Sequence, residues 1–208
     1  MRGNVNNEYT YVCNELIMTR EYVMKKRAEK QAETRRRIVE ATIGLHSSVG
    51  PALTTFSMVA ERAGVQRHTL YAHFPDDRSL LLACSGLHLE RDPLPEVEAW
   101  RIINDPEQRL RTGLGAIYAW YQRNADLTAH IVRDAEVHPV TQEIVELRVR
   151  PAMASYMEVL GAGLTAQQRP VLALALSFHT WRTLSRDAGL SADAAVDVMV
   201  RAMGSLQD

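Results

Sequence analysis

Residues 56–74 read FSMVAERAGVQRHTLYAHF, and their spacing decides the fold. Thr55 stands just before this run, where a side-chain oxygen accepts an early N–H of a helix. Val59 and Ala63 share one face of a helix over Phe56–Ala63, and Ala60 is small where a second helix must come close. Gly64 then supplies a left-handed turn that other residues resist. Val65 and Leu70 close a small core with a further short helix over 66–71. A small residue, a glycine four later and an apolar residue six after that is the spacing of a helix-turn-helix, whose second helix enters the DNA major groove. With Val65 and Leu70 inward, Gln66, Arg67, His68, Thr69 and Tyr71 are left outward, and all of them form hydrogen bonds.

Upstream, Ile38, Ala41 and Leu45 recur at helical spacing. Arg35, Arg36 and Arg37 at the start of that pattern oppose the helix dipole by about 0.3–1 kcal/mol each, so a phosphate backbone explains them better than helix stability does. The helix must end by Gly50-Pro51. Downstream, Asp76 or Asp77 opens a fourth helix carrying Leu80, Leu81, Cys84 and Leu87 on one side. The chain totals −1. From Met24 to His73, however, nine Lys and Arg stand against four Glu, an excess of five positive charges that leaves −6 elsewhere. One end suits a polyanion and the other has a different task.

The 208 residues are 46% apolar and 24% charged, which excludes a disordered or fibrous chain. No apolar run approaches the ~18 residues of a membrane span. The polar start, with Asn4, Asn6, Asn7 and Glu8, is unlike a secretory signal. Cys13 and Cys84 cannot make a disulfide scaffold, and the expected location is the cytoplasm. Helical periodicity prevails and no alternating strand pattern persists, so the expected class is all-α. Residues 1–23 lack helical periodicity and read as a flexible N-terminal extension. A DNA-binding domain is expected over 24–92, up to the breaker Asp92-Pro93. Over 93–208, helices are expected at Pro106–Asn124, near Leu127–Val137, within 141–164, across 165–188 and from Ser191 to the end. The last two are apolar all round, which implies burial on more than one side and a second subunit.

The stretch Arg35–Leu81 resembles the DNA-binding domain of TetR-family transcriptional repressors. The likeness rests on Ile38–Leu45, Thr55, Val59-Ala60-Glu61-Arg62-Ala63-Gly64-Val65, Thr69-Leu70-Tyr71-Ala72-His73-Phe74-Pro75 and Leu80-Leu81. It implies an N-terminal three-helix head, a C-terminal effector-binding domain, and a homodimer through the two last helices. Such a protein binds a palindromic double-stranded operator and releases it when a small molecule enters. By position, Arg67 and His68 would face base edges with Gln66 at the helix start and Thr69 beside them. Tyr71 and His73 would reach phosphates, Thr55 the backbone, and Arg36 the backbone from the first helix. Two positions depart from the pattern. Gln66 replaces a usual serine, and Asp77 replaces a lysine whose phosphate contact is then either lost or passed to Arg78.

In the C-terminal half, Tyr121 and Trp181 are the expected walls of an effector pocket, with His130 and Arg133 as polar anchors. Cys84 and His88 lie four apart but lack the partners of a zinc set, and Gly161-Ala162-Gly163 lacks the strand and third glycine of a dinucleotide loop. No metal or cofactor is expected. Asp134, Glu136 and His138 are the one cluster that would suit a helical enzyme, but no nucleophile accompanies it. Asp77 is the one residue favouring a helical interaction protein that has lost DNA binding.

Overall fold

The computed structural model describes the backbone of residues 5–206 and the side chains of residues 22–206. The described residues are helical and contain no strand, so the all-α expectation holds.

The first helix, α1, runs unbroken from Val5 to Ser48. This corrects the reading of 1–23 as a flexible arm, except at residues 1–4, which lie outside the described residues. Neither Gly nor Pro occurs between Asn4 and Ile43, and Glu, Lys, Arg, Met and Ala dominate, a composition that favours helix. Periodicity reports an apolar face against a core. The first described side chains of α1 show no such face: Tyr22, Val23 and Met24 are all exposed. Burial begins at Ile38 and Val39.

After α1 the chain turns through Gly50 and a single 3-10 turn, Pro51–Leu53. Helix α2 (Phe56–Ala63) follows, capped by Thr55, whose side chain accepts from the Met58 N–H at 3.3 Å. Gly64 ends it in the left-handed conformation at φ 63°. Helix α3 spans Arg67–His73 and α4 spans Asp77–Arg91, the latter capped by Asp76, which accepts from the Ser79 N–H at 2.7 Å. Ile38, Val59 and Leu70 are wholly buried, with Phe74, Leu80 and Cys84 closing one apolar cluster around them. Burial pushes the Cys84 thiol up to about 12.

A second cluster fills the remainder. A short α5 (Glu98–Arg101) sets Trp100 against Tyr156, ring centres 5.3 Å apart. Helices α6 (Pro106–Arg123), α7 (Ala125–Ala135), α8 (Pro139–Arg148) and α9 (Arg150–Leu160) then follow. The stretch 165–188, expected as one helix, is instead α10 (Gln168–Ala175), α11 (Phe178–Trp181) and a π-helical turn over Arg182–Asp187. Side chains from α6 hold this break. The Tyr118 hydroxyl donates to the Ala175 carbonyl at 2.9 Å and the Tyr121 hydroxyl to the Leu176 carbonyl at 2.7 Å. Carbonyls freed from the helical ladder thereby keep partners. Helix α12 (Ala192–Gly204), capped by Ser191, packs along α6.

The two turn glycines differ in kind. A Cβ on Gly64 would meet only Arg37, at 3.9 Å, whereas one on Gly50 (φ 96°) would fall 2.4 Å from both Arg133 and Asp134. Gly64→Ala is expected to cost about 1 kcal/mol, the backbone penalty alone. Gly50→Ala is expected to cost roughly 3 kcal/mol, because strain and overpacking add. Urea unfolding of the two variants checks the ranking.

Candidate nucleic-acid interface

Leu70 anchors the back of α3, and its front is open. Gln66, Arg67 and His68 are exposed, Thr69 and His73 half-buried. Tyr71 is 46% exposed, with its ring packed on Phe56 at 4.9 Å between centres. Gln66 opens α3 without a side-chain capping bond, so its amide is left for other work. Thr55 is committed to capping α2.

The arginine run of α1 divides by face. Arg36 is held at 3.0 Å by Glu33 and also pairs with Glu40, which in turn binds Arg91 of α4. Arg35 instead stacks on the Phe74 ring, its guanidinium 4.7 Å from the ring centre. Arg37 lies nearest Gly64 at the turn. Arg35 and Arg37, not the expected Arg36, therefore flank the helix-turn-helix. Glutamates three before and four after Arg36 were the available sequence signal.

Arg78, expected to inherit a phosphate contact, is turned the other way. Its guanidinium binds Glu143 of α8 at 2.7 Å. Asp77 is engaged as well, 3.3 Å from His138 Nε2 at the head of α8. The acidic residue that favoured a lost-binding reading thus faces the C-terminal helices rather than a phosphate.

A stronger bond between head and body lies beside these. Asp134 of α7 is only 2% exposed, yet its carboxylate accepts from the Ala52 N–H at 2.9 Å and from Arg133 Nε at 2.7 Å. Arg133 also donates to the Val49 carbonyl at 2.9 Å. Burial by itself raises a carboxyl pKa, but Arg133 and the Ala52 N–H outweigh it and hold Asp134 below the ordinary range. Arg133, expected as an effector anchor, is thus chiefly a tie to the DNA-binding head. Asp134 and His138, members of the cluster that suggested an enzyme, are taken up by such contacts.

The four expected effector residues fall in two cavities. His130, Arg133 and Trp181 line a polar cavity of about 580 Å³, and Tyr121 lines a separate, mainly apolar chamber of about 410 Å³ between α6, α7, α8 and α9. Tyr121 and Trp181 remain neighbours, ring centres 5.9 Å apart. A third, narrow apolar cavity of about 90 Å³ reaches α1 and α4. It was not foreseen. Among the described residues no group of three or more potential metal ligands occurs, and no helix is long and apolar enough to cross a membrane.

Residues 38–84 match the model of the bacterial regulatory proteins of the tetR family. The likeness to the tetR family thus lies in the helix-turn-helix head. It is 36% identical over 106 residues to the transcriptional repressor KstR of Mycolicibacterium smegmatis, covering 51% of this chain and 52% of that one. It is 30% identical over 125 residues to KstR of Mycobacterium tuberculosis, covering 58% and 57%. The chain thus spans about half the length of these relatives. Two solved structures share the fold. The fatty acid degradation regulator FadR of Bacillus halodurans aligns with TM-score 0.58 at 14% identity, over 84% of this chain and 96% of the other. AibR, in complex with isovaleryl coenzyme A and operator DNA, aligns with TM-score 0.58 at 19% identity, over 80% and 96%.

Acid should loosen this junction. His46 of α1 is 95% buried, and burial pushes its imidazole down to about 4 from an ordinary 6.5. Between those values the unfolded chain binds more protons, so stability is complete above about 6.5 and is lost as pH falls toward 4. Asp134, held low, adds loss in the same direction further down. One proton is worth roughly 1.4 kcal/mol per pH unit. Urea unfolding should show stability falling between pH 6.5 and 4.5, with His46→Leu flattening the upper part of that fall.

Proposed function

We propose that this chain is a ligand-responsive transcriptional repressor that binds a palindromic operator as a homodimer. One observation carries the reading: α3 buries Leu70 while presenting Gln66, Arg67 and His68 outward, beside Arg35 and Arg37. Arg67 pairs with a guanine edge and Gln66 with an adenine, the bidentate partners their side chains suit. His68 lies against base edges, and Thr69, Tyr71 and His73 meet the flanking backbone. The match to KstR repressors and the fold shared with AibR, solved with its operator, support the same assignment.

Dimerisation proceeds through the two C-terminal stretches, 165–188 and Ser191 to the end, where Leu174 of α10 is 56% and Val198 of α12 43% exposed although each belongs to an apolar run. In such a dimer the α3 copies must stand one helical turn of DNA apart, about 34–36 Å. A small molecule in the apolar chamber beside α7 changes that separation, because α7 carries Arg133 and Asp134 and these grip the turn that ends α1. It shifts the equilibrium only by its preference for one spacing over the other.

Selection from random duplex DNA should enrich a palindrome; an unenriched pool would overturn the reading. Arg67→Ala should weaken the selected site about 5- to 150-fold and relax one position in it. Binding to random duplex should fall steeply with salt, and a log–log slope near −5 corresponds to about six neutralised phosphates. A flat salt response would count equally against DNA binding.

A further inference from the structure

The narrow cavity and the apolar chamber share five wall residues, Trp120, Thr128, Ile131, Val145 and Val149. The two therefore adjoin, and a ligand filling both would run along one passage from the body of the C-terminal domain to the DNA-binding head. Within the chamber the tyrosine hydroxyls are already spent: Tyr121 on the Leu176 carbonyl, and Tyr156 on the Pro95 carbonyl at 2.7 Å. Trp120 likewise gives its indole N–H to the Asp92 carbonyl at 3.2 Å.

The far end is different. His46 Nε2 and His88 Nε2 are both buried without a hydrogen-bond partner, and both residues line the narrow cavity. A buried polar atom left unpaired costs about 1–3 kcal/mol, so a group that satisfies it on binding gains by that margin. His46 belongs to α1 and His88 to α4, two helices of the head. Resting on the regulator reading above, we propose that the passage takes one elongated apolar ligand ending in an uncharged hydroxyl or carbonyl oxygen, which His46 receives at the junction with the head.

The charge state selects the terminal group. Asp134, His138 and His130 are the titratable groups whose fields reach His46; burial, with His138 and His130 acting the same way, outweighs Asp134 and leaves the imidazole neutral near pH 7. A neutral imidazole has one donor and one acceptor nitrogen, so Nε2 suits a hydroxyl in either tautomer and a carbonyl in one. A carboxylate there would lose its hydration, and Arg148, the charged member of the wall, is itself exposed to solvent.

The test uses three ten-carbon probes of one shape, 1-decanol, 1-chlorodecane and decanoate, titrated against the full chain by tryptophan fluorescence, with Trp120 as the reporter in the shared wall. Decanol should bind about tenfold more tightly than chlorodecane, and decanoate no more tightly than chlorodecane. His46→Leu should abolish the preference for decanol without weakening chlorodecane, and His46→Gln, which keeps a donor and an acceptor, should restore part of it. In the 15N-histidine spectrum of the wild-type chain, decanol should move the His46 Nε2 resonance. That readout stands even if the leucine variant does not fold. Equal affinity for decanol and chlorodecane, tightest binding of decanoate, an unmoved His46 resonance, or no binding of any probe would each overturn the inference. Operator binding without probe is measured alongside. Its loss would tell against the regulator reading itself, whereas intact operator binding with an indifferent His46 would sink only the inference drawn here.

Discussion

A carboxylate that is almost wholly out of water holds the two halves of this molecule in register. Asp134 accepts from the Ala52 N–H and from Arg133, and Arg133 reaches on to the Val49 carbonyl. A buried charge is tolerated only when paired and hydrogen-bonded, so this group cannot easily let go of one half while keeping the other. Gly50 belongs to the same device, because only a residue without a side chain leaves room for the Arg133 and Asp134 head groups. The link is polar, whereas the cavity beside it is mainly apolar.

Around that link the surface ion pairs Arg78–Glu143 and Asp77–His138 add orientation more than strength, since exposed pairs contribute at most about 1 kcal/mol. Their value lies in position. Both join the first turn of α4 to α8, so the head is tied to the body there as well as at Asp134.

The helix-turn-helix was legible because its geometry is local. Thr55, Gly64 and Leu70 lie within sixteen residues and each has one physical task there. The all-helical class followed from periodicity for a similar reason. What the sequence hid were choices settled by distant partners. Arg36 looks like its neighbours until Glu33 and Glu40 claim it, and Arg78 seems placed for phosphate until Glu143, sixty-five residues on, takes it. The apolar stretch 165–188 reads as one helix because nothing within it announces that Tyr118 and Tyr121 will receive two of its carbonyls. Helix α1 was misread at its start for the opposite reason: Tyr22, Val23 and Met24, its first described side chains, are exposed and carry no inward pattern to find. His46 escaped notice entirely. A lone histidine on an apolar face looks like any other core residue until its unmatched nitrogen is seen to border a void.

Cys84 lies on the wall of that same void, and burial keeps its sulfur protonated far above neutral pH. Thiolates, not thiols, attack electrophiles. A visitor carrying an activated double bond or an aldehyde would therefore lodge against this sulfur and leave again unmodified.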